Sequence, residues 1–270
     1  ELVKASEAKN EPLSKIIIED QALEMDLSCE QLFSRMDSDF EVMIDSVKLG
    51  QKREQKSMSG LTGGEGFKMG SYSERTGGGL CGSFITKAMS RALAVSGCNA
   101  SMGKIVASPT AGSCGIIPGC LISVYEDKGV EREKVVMSLF TAGGFGMVIA
   151  NQASISGAEG GCQAECGSAS AIAAAALVEL QGGSPAHGAV RMGRAAGVLG
   201  ADGLYRLAGL HPPEPQALRG HPAHPAAVER AVRAVPGGGV AVGPDEAGDA
   251  LALFPLRADA LHGAARSQAH

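Results

Sequence analysis

The sequence predicts a mainly α-helical protein in which glycine-rich loops build a ligand site. Three observations carry that prediction. Apolar residues recur at helical spacing, as in Leu13, Ile16 and Ile17, then Leu32, Phe33 and Met36. Helix-start residues precede several of these runs. The chain also holds 38 glycines in 270 residues, about twice ordinary usage, and they cluster in short stretches between the apolar runs.

In chain order, the segment from Pro12 to Phe40 reads as two short helices broken near residues 26–28. Ser28 with Gln31 three positions on matches the two ends of a capping box. A further helix is predicted from Asp39 to Lys56 with Ser38 as its N-cap. Residues 59–80 contain eight glycines and read as a loop, either a mobile lid or a close wrap around a ligand. Helix resumes over residues 83–97, with Ile85, Ala88, Met89, Leu93 and Val95 facing inward and Lys87 and Arg91 outward. Ile105 to Ala107 reads as a short strand or a helix end, and Pro109 stops either. A buried helix is predicted to start around Pro118, followed by a polar turn over Glu126–Val130. Arg132 to Leu139 is helix, Gly143, Gly144 and Gly146 interrupt the next apolar run, and Ser168 to Leu180 is an alanine-rich helix.

Composition excludes some function classes. A net charge of −5, 4% aromatics and no Trp leave neither a phosphate-backbone footprint nor stacking platforms, so no nucleic-acid partner is expected. No uninterrupted apolar run reaches the roughly 18 residues of a membrane span, so no membrane partner is expected either. The cysteines are Cys29, Cys81, Cys98, Cys114, Cys120, Cys162 and Cys166. Their odd number, the lack of a CxxC pair and the lack of a basic-then-apolar leader predict reduced thiols in a cytoplasmic chain.

Composition changes sharply after residue 180: residues 181–270 hold all six histidines but no Lys, Asn, Thr, Ile or Cys. Residues 211–225 read as a Pro-rich linker, where His211, His221 and His224 have a surface role.

Three small-residue segments, 61–66, 108–115 and 154–167, combine Gly or Ser with a strong polar or thiol group. Such backbone nests suit a small anionic metabolite, or they are tight turns between packed helices. Thr110, Gly112, Ser113, Asn151, Ser154, Ser156 and Gly157 are the substrate-binding candidates, with turn capping as the plain alternative. Cys162, at the glycine-rich entry to a helix, is a candidate metal ligand or nucleophile, or else a small buried hydrophobe. Cys166 lies one helical turn on and could share its face, and Cys114 has a similar setting. Glu159 and Glu165 are candidate bases or ammonium binders, against a solvated or capping role. Lys104 is a candidate Schiff-base lysine or substrate anchor, against an exposed helix lysine. A PLP lyase built on Lys104 is the minor alternative.

Leu61-Thr-Gly-Gly-Glu-Gly66, the run from Asn99 to Pro118, and Asn151 through Glu179 strongly resemble the alpha subunit of iron–sulfur-dependent L-serine dehydratases. The run Ser154-Ile-Ser-Gly-Ala-Glu-Gly-Gly-Cys-Gln-Ala-Glu165 is the most specific of these motifs. The resemblance covers about residues 1–185. It implies a helical catalytic alpha domain over residues 1–210, and composition makes residues 211–270 a Pro/Ala/Gly/Arg-rich tail. It also implies PLP-independent β-elimination of L-serine to pyruvate and ammonia, a place in amino-acid degradation and gluconeogenesis, and a beta subunit as partner. The family carries a [4Fe–4S] cluster on three cysteines, with one iron open as a Lewis acid for the serine hydroxyl. Cys162 corresponds to the first of those cysteines. The other two fall on Leu204 and Pro215, so the ligand set is incomplete in this chain.

The loss of the family pattern near the composition change fits a frame-shifted or wrongly joined reading of a GC-rich gene, or a diverged homologue that only binds a beta subunit. Under the first account, the nucleotides encoding residues 181–270 contain another frame with cysteines aligned to Leu204 and Pro215. A coding sequence without that frame removes the account.

Overall fold

The computed structural model describes residues 2–152, 155–188 and 251–252. Among them the helices are α1 (Leu2–Lys9), α2 (Leu13–Met25), α3 (Cys29–Gly50), α4 (Glu65–Thr76), α5 (Gly82–Ala100), α6 (Ile116–Lys128), α7 (Arg132–Gln152) and α8 (Gly157–Leu180). A two-residue strand β1 (Val106–Ala107) pairs in parallel with β2 (Leu251–Ala252). The protein is mainly α-helical, as the sequence predicts. The Pro-rich linker and nearly all of the tail lie outside the described residues.

Helix α5 packs against α3, α4 and α6, while α7 packs against α2 and α8, and α6 joins the two groups by packing on α8. Phe40 and Met43 of α3, Ile117 and Leu121 of α6, Leu139 and Phe140 of α7 and Ile172 of α8 meet in one buried core. Over Arg132–Asn151, α7 is long and apolar enough to cross a membrane, and 72% of its most apolar stretch is buried inside the fold.

The break between α2 and α3 falls where the sequence places it. Asp26 caps α2 in the left-handed conformation, with φ 54°. Ser28 Oγ accepts from the Gln31 N–H at 3.1 Å, and Gln31 Oε1 accepts from the Ser28 N–H at 2.8 Å. The separate helix expected from Asp39 does not exist. Ser38 donates its hydroxyl back to the Ser34 carbonyl at 2.9 Å instead of capping. Leu32, Met36, Phe40, Met43 and Val47 then form one continuous buried stripe along α3.

The loop expected over residues 59–80 also needs correction, because α4 occupies its middle. Gly66 and Gly70, one turn apart, face α5. A Cβ on Gly66 would stand 2.8 Å from Ala94 Cα, and one on Gly70 would stand 3.1 Å from Ser90 Oγ. These glycines admit a neighbouring helix rather than a turn. The same holds in α7, which runs unbroken through Gly143, Gly144 and Gly146. A Cβ on Gly144 would come within 2.2 Å of Ile17 Cδ1.

Helix α5 largely reverses its expected facing. Val95 is buried and Lys87 exposed as predicted, but Arg91 is only 7% exposed, while Ile85 and Met89 are 49% and 45% exposed. The cause is the close approach of three helices, which leaves room on the inner face for Thr86, Ser90 and Ala94. Arg91 is buried because its charge is matched: its guanidinium lies 2.6 Å from Glu126 and 2.6 Å from Asp127, and donates to Ser123 Oγ at 2.8 Å.

The tightest of these contacts joins α3 to α5, where a Cβ on Gly50 would stand 1.8 Å from the Ala94 carbonyl oxygen. Backbone holds both atoms, so no rotamer change relieves the clash. Gly50→Ala is expected to destabilise the fold by about 3 kcal/mol. Thermal unfolding with an unchanged midpoint would contradict this packing.

Candidate functional site

The site forms where the connection from β1 to α6 meets the first turns of α8. That connection, residues 108–115, is anchored by Asn99 at the end of α5, whose Nδ2 donates to the Ala111 carbonyl at 3.0 Å. Thr110 Oγ1 donates to Glu165 Oε1 of α8. With that proton committed, Ser113 Oγ, 3.0 Å from Thr110 Oγ1, supplies the donor of the next bond. Ser113, Thr110 and Glu165 thus form a hydroxyl relay ending on a carboxylate.

Two glycines make the carboxylate's position possible. A Cβ on Gly112 would lie 2.5 Å from Glu165 Oε1, and a Cβ on Gly157 would lie 2.5 Å from Oε2. Any side chain at either position would displace the carboxylate. Ser108, at the start of the same connection, is fully buried, and its Oγ has no hydrogen-bond partner among the described residues.

The structure therefore brings together Thr110, Gly112, Ser113, Gly157 and Glu165. Ser156 adjoins this group, and its carbonyl accepts the Gly160 N–H at 2.9 Å in the first turn of α8. Asn151 is exposed in the last turn of α7. Ser154 and the Glu159 side chain lie outside the described residues. Lys104 is exposed in the connection ahead of β1, and its charge is felt by Asp39 of α3. The bond between Thr110 and Glu165 spans 55 residues, and no local spacing in the sequence announces it.

Cys162 is exposed and Cys166 half-buried, and their Sγ atoms lie 3.6 Å apart. The shared helix face suggested by their spacing is real. Cys114 has a different environment. It is fully buried, and burial first, with Cys98 and Glu165 adding to it, pushes its thiol up to about 12. It lies in the buried core rather than on the exposed helix face that carries Cys162. No cysteine follows Cys166. Among the described residues, no group of three or more His, Cys, Asp or Glu side chains could hold a metal ion. The donor set present does not fit a cluster bound by three thiolates.

The serine dehydratase alpha chain family matches residues 8–195. A probable L-serine dehydratase alpha chain of Bacillus subtilis (strain 168) is 45% identical over 192 residues, covering 71% of this chain and 63% of that protein. The L-serine dehydratase alpha chain of Peptoniphilus asaccharolyticus is 40% identical over 170 residues, covering 63% and 58%. An L-serine dehydratase of Escherichia coli (strain K12) is 50% identical over 99 residues, or 36% of this chain and 21% of that one. This chain belongs to the serine dehydratase alpha chain family. Its match spans less than two thirds of the length of these relatives, and the family match ends at residue 195, close to the change in composition.

Asp39 gives a measurable consequence beside Lys104. Burial raises its carboxyl from 3.8 to about 6, opposed by the Lys104 charge. A carboxyl raised in the folded state costs stability once it ionises, so the penalty appears as pH rises from 3.8 towards 6 and is complete above 6. Asp39→Asn is expected to stabilise the protein by on the order of 1 kcal/mol at neutral pH, after allowance for partial solvent screening. The gain should vanish in acid. Equal thermal midpoints for the two proteins at neutral pH would contradict the buried charge.

Proposed function

We propose that this chain acts as the alpha chain of an L-serine dehydratase, converting L-serine to pyruvate and ammonia together with a beta subunit. The observation that carries this reading is Glu165, clasped between Gly112 and Gly157 at the end of the Ser113–Thr110 relay. A carboxylate so held is suited to pair with the ammonium group of an amino acid or to take its α-proton. The unpartnered hydroxyl of Ser108 and the small-residue connection offer polar groups for the substrate carboxylate. The names of the matched relatives support L-serine as that amino acid. Elimination removes the α-proton and the β-hydroxyl as water, leaving aminoacrylate. Its imine tautomer takes up water and releases ammonia and pyruvate. The same reading carries a cytoplasmic role in amino-acid degradation that feeds gluconeogenesis.

Leu204 and Pro215, at the positions of the other two family cysteines, favour a second reading. In it the chain is a non-catalytic alpha homologue that binds a beta subunit.

Anaerobic reconstitution with a beta chain, iron and sulfide separates the two. Near-stoichiometric iron and pyruvate formed from L-serine support the dehydratase; a colourless, inactive complex supports the binding partner. If the complex is active, Glu165→Gln should lower kcat by about 100-fold or more without preventing assembly. Unchanged turnover would remove Glu165 from the chemistry.

A further inference from the structure

We propose that the cavity between the C-terminal ends of α3 and α5 is a second binding site, for a free α-amino acid. The cavity holds about 330 Å³ and is lined by Leu49, Lys52, Glu54, Gln55, Ser101 and Gly103, within the roughly 300–1,000 Å³ of small-molecule sites. It shares no lining residue with the clasp around Glu165, so the proposal does not rest on the dehydratase reading.

Hydrogen bonds and close packing fix its back wall before any ligand arrives. Gln55 Nε2 donates to Ser101 Oγ at 3.1 Å, and Ser101 Oγ donates to the Cys98 carbonyl at 2.9 Å. A Cβ on Gly97 would stand 2.7 Å from Gln55 Oε1, so that glycine admits the amide. Met102, with φ 62°, turns the chain so that Gly103 returns onto α5, where its N–H donates to the Cys98 carbonyl at 2.9 Å.

The charges select the ligand. Lys52 and Glu54 both line the cavity and are exposed, and neither has an ion-pair partner among the described residues. Lys48, one turn earlier on α3, is by contrast paired with Asp45 at 2.9 Å. Leu49 belongs to the last turn of α3 and Ser101 is the C-cap of α5, and a helix C-terminus carries a negative partial charge. One positive and one negative pole in the same small cavity fit a zwitterion better than a simple anion or cation. The ligand's α-carboxylate takes Lys52 and the second N–H of Gln55 Nε2. Its ammonium group takes Glu54 and the negative helix ends. Leu49, 38% exposed, gives the substituent on the ligand's α-carbon an apolar wall.

The test uses the full chain carrying Glu165→Gln, which weakens any binding at the clasp, with L-alanine as the probe and saturation-transfer NMR as the readout. This chain should bind L-alanine, whereas acetate and ethylammonium, each with one pole only, should compete about tenfold less well. Lys52→Met and Glu54→Gln should each weaken L-alanine binding by about tenfold, and Lys52→Arg should retain it. Circular dichroism checks that each variant keeps its helix content. Binding left intact by either Lys52→Met or Glu54→Gln, or acetate bound as tightly as L-alanine, would overturn the proposal. So would a Glu165→Gln chain that binds no L-alanine. If the unsubstituted chain then binds it, the amino acid sits at the clasp, and the dehydratase reading stands while this one falls.

Discussion

Two backbone positions without side chains decide where the carboxylate of Glu165 can sit. Gly112 comes from the connection after β1 and Gly157 from the start of α8, and the carboxylate fills the space that a Cβ on either would need. The bond from Thr110 then fixes the α8 end of the site to the connection ahead of α6. Because α6 also packs along α8, the relay and the helix contact set one register between them. The positions of Cys162 and Cys166 follow from that register, since both lie within one turn of Glu165.

Small residues set the geometry elsewhere too. Gly66 and Gly70 of α4 and Gly115 and Gly119 at the start of α6 stand against Ala88, Ser90, Ala92 and Ala94 of α5. Each pair is spaced by four, the interval at which residues share a helix face. Helices that approach this closely gain dispersion contacts along their backbones and leave no room for large apolar side chains between them. Ile85, Met89 and Leu93 are consequently on the outer face of α5, and Arg91 is inside with two carboxylates around it.

Much of this was legible in the sequence. The capping box at Ser28, the break at Asp26 and the helical class all follow from local chemistry. Glycine was the ambiguous letter. A run such as Gly63-Gly64-Glu65-Gly66 has the same composition whether it turns the chain or admits another helix. In this protein Gly64 caps α4, while Gly66 receives Ala94. The facing of α5 departs from the sequence expectation for a related reason. Hydrophobic periodicity assumes that the inner face is the apolar one, and that assumption fails where the inner face must be small. Contacts between distant segments, such as Thr110 with Glu165, have no local signal at all.

The cysteines show how far a motif carries. The run around Cys162 identifies the family, yet a cluster held by three thiolates is a property of three segments, and this chain supplies one of them. Burial separates the remaining thiols by chemistry: Cys98 and Cys114 are sealed in the core, where ionisation is opposed, whereas Cys162 is open to solvent beside Cys166. The carboxylate clasp, in contrast, is complete within residues 108–165, because all of its members lie in the part of the chain that keeps the family pattern. The clasp thus rests on residues that are present and in contact, whereas Leu204 and Pro215 offer no donor side chain at the positions where the resemblance places the other two family cysteines.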